Sequence, residues 1–304
     1  MDCDEDEDGE GISFTVTHPE KVLFPRAKIT KGALIDYYEA ASPWMLPHLR
    51  DRPLTLHRFP SGVDGRGFYH KQIEEDAPRW IERCEMGTRD GEPMTYALGN
   101  NGATLIHLAN KNTIAFHVTA SRCGDLDRPD LFILDLDPSD DDFEKVRLGA
   151  RHLGSMMAAM GLVPFVKTTG SRGLHVVAAI EPDEGHEQVR EHARALAERL
   201  CRRDPERFTI DTVKKRRGDR VFVDYLRNGV AQTMVAPYSV RAIDGAPVST
   251  PITWTELEDP ALHGRTFTVR DVPGRLRTIG DPWREIRSTA RSLRAARVQL
   301  DAMR

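Results

Sequence analysis

Leu131-Phe132-Ile133-Leu134-Asp135-Leu136-Asp137-Pro138 is the stretch on which the fold turns. An apolar run that breaks into Pro-Ser-Asp reads as a buried strand arriving at the rim of a sheet. Side chains alternate along a strand, so Asp135 and Asp137 share one face while Leu136 enters the other. Two neighbouring carboxylates repel unless a cation lies between them, and hard ions such as Mg²⁺ or Mn²⁺ suit such oxygen ligands. An Asp-x-Asp pair alone also occurs in glycosyltransferases, nucleases, polymerases and plain surface loops.

Outward from this strand, the pattern predicts a helix over about 141–160 and a strand Val163–Lys167. A Gly-rich turn, a strand Leu174–Ile180, a long Arg/Ala/Leu helix over about 184–203 and a strand Val221–Tyr225 follow. Upstream, Thr30 is an N-cap for a helix burying Leu34, Tyr37, Tyr38, Ala41 and Met45, with Pro43 expected to kink or restart it. Runs at Leu54–Phe59, Gly67–Lys71, Ala103–Leu108 and Ile114–Val118 read as strands, and a basic helix is expected from about 282 to 302. The fold class is α/β (α+β), with two mixed-sheet halves and flanking helices. Residues 1–12 are read as an acidic disordered tail and 13–304 as one catalytic domain. Its halves run over about 13–125 and 126–280, joined around Ser121–Pro129.

The chain has 304 residues, 39% of them hydrophobic and 30% charged. No apolar run approaches the roughly 18 residues of a membrane helix, and the acidic opening MDCDEDEDGE has no secretory h-region. A membrane protein, a secreted disulfide scaffold and a disordered chain are excluded by this reading, which expects a soluble, cytoplasmic protein. The four cysteines, Cys3, Cys84, Cys123 and Cys201, have no zinc spacing and are expected as free thiols. The net charge of -4 hides a split: seven acids lie in residues 1–10, leaving 40 acids against 43 bases elsewhere. Arg199–Arg220 is the densest basic stretch, a weak sign of a phosphate-rich partner.

Asp224 ends a second apolar run, Val221-Phe222-Val223, so another buried strand delivers an acid to a rim. Three acids from two strands are the usual cage for a two-metal centre; the alternative is that Asp224 caps the next turn. Between two strands, Lys167 to His175 reads KTTGSRGLH. Its glycines let backbone N–H groups approach an anion, and Ser171, Arg172 and His175 add donors. An ordinary hairpin would also account for it.

The order of motifs resembles the archaeo-eukaryotic primase superfamily, most closely the polymerase domain of bacterial DNA ligase D of non-homologous end joining. THPEKVLFP, ITKGALIDYY, RPLTLHRFPSGVDGRGFYHK, TIAFH, DLDRPDLFILDLDPS, TTGSRGLHV, VFVDYLRN, APYSVR and TFTVRDVPGRL are collinear with that family from about residue 13 to 290. The resemblance implies that Asp135, Asp137 and Asp224 are the catalytic, metal-binding acids. It implies nucleotide-binding roles for His57, Arg58, His117, Lys167, Ser171, Arg172, His175, Arg217 and Arg241. Lys21, Lys31 and His18 fall where the family holds the 5′-phosphate of a downstream DNA strand. His57 stands where lysine is common, and His18 where some members have asparagine.

The implied function is a DNA-dependent nucleotidyltransferase, a primase-polymerase that extends primer 3′ ends or fills short gaps at double-strand breaks. Ribonucleotides are preferred, two divalent ions (Mn²⁺ or Mg²⁺) are the cofactors, and NTP or dNTP is the substrate. The implied partners are primer-template or gapped DNA, an end-joining ligase and a Ku-type end-binding protein. No K-x-D/N-G stretch exists, so no covalent-lysine ligase module is expected. The rival readings are a catalytically inactive DNA-end-binding accessory factor and a two-metal nuclease.

Overall fold

The computed structural model describes residues 15–87 and 92–296; the acidic tail lies outside them. Contacts divide the chain into two units. The first takes the chain to Thr119 and also Val235–Val248 and Phe267–Gly280, so it is discontinuous in sequence. The second takes Ala120–Met234, Ser249–Thr266 and the stretch from Asp281 onward.

In the first unit, β1 (Val22–Phe24) and β2 (Ile29–Thr30) form a hairpin leading into α1 (Lys31–Leu49). Thr30 is the N-cap, its side chain accepting the Ala33 N–H. The α1 helix is continuous through Pro43 and Pro47, and all five predicted core residues are buried. Tyr38 is anchored twice: its hydroxyl donates to Ile114 O (2.6 Å) and accepts the Val240 N–H (3.0 Å). β3 (Leu54–Arg58) pairs antiparallel with β4 (Phe68–His70) on one side and β7 (Thr113–Thr119) on the other. Between them come the hairpin β5 (Arg83–Met86) and β6 (Met94–Ala97), and α2 (Gly102–Asn110).

The α2 helix corrects the expected strand Ala103–Leu108. The Asn101 side chain accepts the Thr104 N–H and caps a helix, and Leu105, Leu108 and Ala109 are buried at helical spacing. Thr-Leu-Ile has β propensity, but one polar cap and one apolar stripe outweigh it.

In the second unit, β8 (Leu131–Asp137) is an inner strand. The sheet also holds β9 (Phe165–Thr168), β10 (Leu174–Ala179), β11 (Phe208–Thr209) and β12 (Val221–Asp224). Its order is β11-β12-β8-β10-β9, with Pro251–Ile252 on the outer side of β9. Phe132, Ile133, Leu134 and Leu136 are almost wholly buried, which is why β8 reads as a near-continuous apolar run. Helix α3 (Phe143–Ala159) buries Val146, Ala150, Leu153 and Met157. Helix α4 (His186–Arg203) buries Val189, Ala193, Leu196, Ala197 and Leu200. A short basic helix, α5 (Lys214–Arg217), precedes β12.

The expected helix over 282–302 is corrected at its start: a 3-10 turn at Ile286–Thr289 and an extended Arg291, which bridges Ile180, come first, and helix begins only at Leu293, with residues 297–302 outside the described ones. Trp283 is buried and its indole donates to Val166 O (3.0 Å), holding the chain to the sheet so that the helix cannot begin at 282. The expectation of free thiols holds for Cys201 only among the described residues, since Cys84 and Cys123 are disulfide-bonded. Such bonding depends on tertiary proximity, which spacing along the chain does not reveal. No described helix is long and apolar enough to cross a membrane.

Asn228 ties the turn after β12 back to β8. Its side chain accepts the Ile133 N–H (2.9 Å) and donates to Ile133 O (2.7 Å) and Tyr225 O (2.9 Å), fully buried. Asn228→Ala strands both polar groups of Ile133, at roughly 1–3 kcal/mol each. We expect a loss of about 2–4 kcal/mol, seen as a lower urea midpoint with an unchanged denaturant slope.

Candidate active site

Strand register assembles the centre of this site. Asp224 lies opposite Asp135, Asp135 opposite His175, and His175 opposite Lys167. Directly opposed residues point to the same face, so four polar side chains form one row across β12, β8, β10 and β9. Asp137, two residues beyond Asp135, joins that face. The row is buried: Lys167 is 0% exposed, His175 3%, Asp224 7% and Asp135 8%.

Each acid is met by a cation or an imidazole. Arg227 Nε sits 3.2 Å from both Asp135 Oδ2 and Asp224 Oδ2, bridging the two strands. His175 Nε2 is 3.4 Å from Asp135 Oδ1. Asp137 faces Arg172 at 3.7 Å and Arg217 at 3.5 Å. Burial alone would raise the Asp135 pKa, but His175 and Arg227 outweigh it and hold the carboxyl well below its usual range. Asp137 and Asp224 are shifted upward, first by burial and also by the charge of Asp135. His175 is driven down to about 4 by burial, reinforced by Lys167, and is neutral at pH 7.

The chemistry of this donor set fits a hard divalent cation: three carboxylates on one face, two of them raised in pKa by burial and by the charge of Asp135. Among the described residues, no three His, Cys, Asp or Glu side chains form a ready coordination group. Arg227 takes the space between Asp135 and Asp224, while Asp137 turns to Arg172 and Arg217. The arginines thus stand where positive charge is wanted.

The turn between β9 and β10 presents Ser171 and Arg172. Thr169 holds it shut: its hydroxyl accepts the Ser171 and Gly173 N–H groups (both 3.2 Å) and faces Gly173 O (3.1 Å). Gly170 has φ +65°, and a Cβ on Gly173 would lie 1.9 Å from Leu136 O. The second glycine therefore lets the turn lie directly on β8, next to Asp137. Lys167 donates to Ser249 Oγ within the sheet rather than facing solvent. Arg217 is braced by the carbonyls of Asp211 and Thr212, with its guanidinium 3.8 Å over the Phe222 ring.

The first unit holds the other predicted residues. His57 stacks on Tyr69 with ring centroids 4.2 Å apart, and His117 meets the same tyrosine edge-on at 5.6 Å. Burial, then the charge of Arg241, lowers the His57 pKa, placing these two residues in one neighbourhood. Arg58 is bound to Glu74 and to Lys111 O. Lys21 and Lys31 are joined through the backbone, Lys31 N–H to Lys21 O (2.8 Å). The Lys31 ammonium is buried against Thr17 Oγ1 and Asn110 O, whereas the His18 side chain is 78% exposed beside Glu20. Arg227 was missed by the sequence reading; its signal is the position three residues after Asp224, on the turn that β12 feeds.

A family model described as LigD, primase-polymerase domain, matches residues 30–283. The chain is 32% identical over 285 residues to the multifunctional non-homologous end joining protein LigD of Pseudomonas aeruginosa, covering 92% of this chain and 34% of that protein. It is 33% identical over 280 residues to the corresponding Mycobacterium tuberculosis repair protein, covering 88% and 36%. A solved structure of the polymerase domain from Mycobacterium tuberculosis ligase D in complex with DNA matches with TM-score 0.86 and 31% identity, covering 91% of this chain and 99% of that one. The chain spans about a third of the length of these curated relatives.

Two measurements test the electrostatics. A carboxyl with a raised folded-state pKa binds more protons folded than unfolded, so its contribution to stability falls as pH rises past about 4. Asp224→Asn, which keeps an acceptor for the Leu226 N–H, should therefore melt higher than the parent at pH 7 in EDTA. The gain should vanish near pH 3; an equal or lower melting temperature at pH 7 would contradict the upward shift. For His57, an NMR titration should give a midpoint below 6.5, so that it carries little charge at pH 7. A midpoint above 6.5 would place an unseen anion beside it.

Proposed function

The chain belongs to the LigD primase-polymerase domain family, and on that premise we propose that it is a DNA-dependent nucleotidyltransferase of double-strand break repair by end joining. It extends primer 3′ ends and fills short gaps, favouring ribonucleotides. The primer 3′ oxygen bonds to the α-phosphorus of an incoming nucleotide, the bond to the β-phosphate oxygen breaks, and pyrophosphate leaves. The observation that carries this reading is the register row that puts Asp135 and Asp224 opposite one another, with Asp137 on the same face.

Asp135, Asp137 and Asp224 would hold two divalent ions, Mn²⁺ or Mg²⁺, which when bound lower the pKa of the primer hydroxyl and neutralise charge on the phosphates. The chain's own residues do the rest. Ser171 and Arg172 offer donors to the triphosphate from a turn that Thr169 keeps rigid, so little ordering is left to occur on binding. Neutral His175 orients the Asp135 carboxylate without adding a fixed charge. Arg217, clamped by two carbonyls and by Phe222, aims Nη1 at Asp137.

The hairpin of β1 and β2 supports the 5′-phosphate reading in a modified form. Burial, then the charge of Lys21, lowers the Lys31 pKa, so two ammonium groups crowd one another. A terminal phosphate would relieve that repulsion. With Lys31 committed to Thr17 and Asn110, we assign it a positioning and electrostatic part.

Primer extension with NTP against dNTP, and Mn²⁺ against Mg²⁺, tests the reaction. Asn at Asp135, Asp137 or Asp224 should each lower incorporation more than tenfold, a loss above about 1.4 kcal/mol. Strand shortening would favour the nuclease; DNA binding with no incorporation under any metal would favour the accessory factor. On a gapped duplex, a downstream 5′-phosphate should bind more tightly than a 5′-hydroxyl, and Lys21→Ala should reduce the difference. Equal binding of both ends by the parent removes the hairpin from end recognition.

A further inference from the structure

Beside the acid row, the second unit has a cavity of about 210 Å³ lined on one side by Ser171 and Arg172 and on the other by His263 and Arg265. Pockets that take drug-sized ligands are roughly 300–1,000 Å³, so this one suits a group of a few atoms rather than a whole nucleotide. Arg172 links it to the row, its Nη2 lying 3.7 Å from Asp137.

The far wall is built, not incidental. Gly264 lies so close to the β9–β10 turn that a Cβ there would meet Ser171 O at 2.5 Å and Arg172 C at 2.9 Å. Only a residue without a side chain brings the two backbones together in this way. The loop is then locked from behind. Buried Arg147 of α3 donates to Leu262 O (2.9 Å), and the His263 N–H donates to Thr266 Oγ1 (2.8 Å). The Arg265 N–H donates to His263 Nδ1 (3.1 Å), so the proton of the neutral ring resides on Nε2. His263 and Arg265 themselves remain exposed, with their donors available to a ligand.

Charge decides the ligand class. Arg172, Arg265, His263 and Ser171 all line the cavity. Of the two lining acids, Asp140 is neutralised by Lys145, leaving Asp141 exposed. Arginine forks match phosphate oxygens in geometry as well as charge. We propose that His263 and Arg265 are phosphate-binding residues that complete, with Ser171 and Arg172, a pocket for a diphosphate group. On the nucleotidyl-transfer reading, on which this rests, that group is the β,γ-diphosphate of the incoming nucleotide and then the pyrophosphate released from it. An exposed arginine and an exposed imidazole donor on a preorganised loop let product leave while still favouring entry of the triphosphate.

The test is calorimetric titration of inorganic pyrophosphate into the whole chain with EDTA present, so that the readout does not depend on metal or turnover. The parent should bind pyrophosphate, ATP should compete for the site, and AMP should not. The double variant His263→Ala with Arg265→Ala should weaken pyrophosphate at least tenfold, and Arg265→Lys should recover part of the loss. Both residues are exposed, and a parent-like melting curve verifies the fold. Unchanged pyrophosphate affinity in the double variant, or a parent that binds none, overturns the pocket. A parent that binds pyrophosphate through Arg265 but never incorporates nucleotide overturns the polymerase reading and leaves the pocket standing.

Discussion

Antiparallel hydrogen bonding holds β8 between β10 and β12 in a register that sets Lys167, His175, Asp135 and Asp224 side by side. Strand side chains have period two, so a slip of one residue on β8 would turn Asp135 and Asp137 into the core and bring Leu136 and Leu134 out. The apolar residues of β8 forbid that slip because they are already buried on the opposite face. Hydrophobic burial thus enforces the placement of the carboxylates, although it contributes nothing to their chemistry. Asn228 secures the same register from the side, since its amide bonds both backbone groups of Ile133.

Placing three carboxylates on one face, two of them buried, is unfavourable by itself, because burial and mutual repulsion both penalise the ionised form. The fold offsets this with arginines rather than lysines. Arg227 spans Asp135 and Asp224, and Arg172 and Arg217 share Asp137. A guanidinium keeps its charge under any local field and can contact two acceptors at once. The one lysine of the row is turned to Ser249. Its charge acts at short range on His175, which it helps to keep neutral.

Backbone proximity organises the turn beside the acid row in a different way. Gly173 lies against β8 and Gly264 against the Ser171–Arg172 turn, so three segments meet with no side chains between them. Rigid segments in close contact hold donors in place before a ligand arrives, which reduces the ordering cost of binding. The hydroxyl of Thr169 performs the same service within the turn, satisfying three backbone groups that a flexible hairpin would leave to water.

Much of this was determined by the sequence alone. The apolar run ending in Asp135 and Asp137, the second run ending in Asp224 and the Gly-rich turn between strands state their local structure through periodicity and turn chemistry, which act over a few residues. Long elements such as α1, α3 and α4 were legible for the same reason, their apolar positions recurring at helical spacing over many turns. Short elements were not. Gly102–Asn110 became a helix through the Asn101 cap, and the helix expected from 282 is delayed to Leu293 by the Trp283 indole on Val166 and the Arg291 bridge to Ile180. Only the tertiary structure decided which strands are neighbours, and hence that Asp224 faces Asp135 across 89 positions of chain. The same holds for Arg227 as the bridge between them and for the loop of His263 and Arg265 beside Arg172. Those facts depend on register and on close approach of distant backbone, and neither leaves a local mark on the order of the residues.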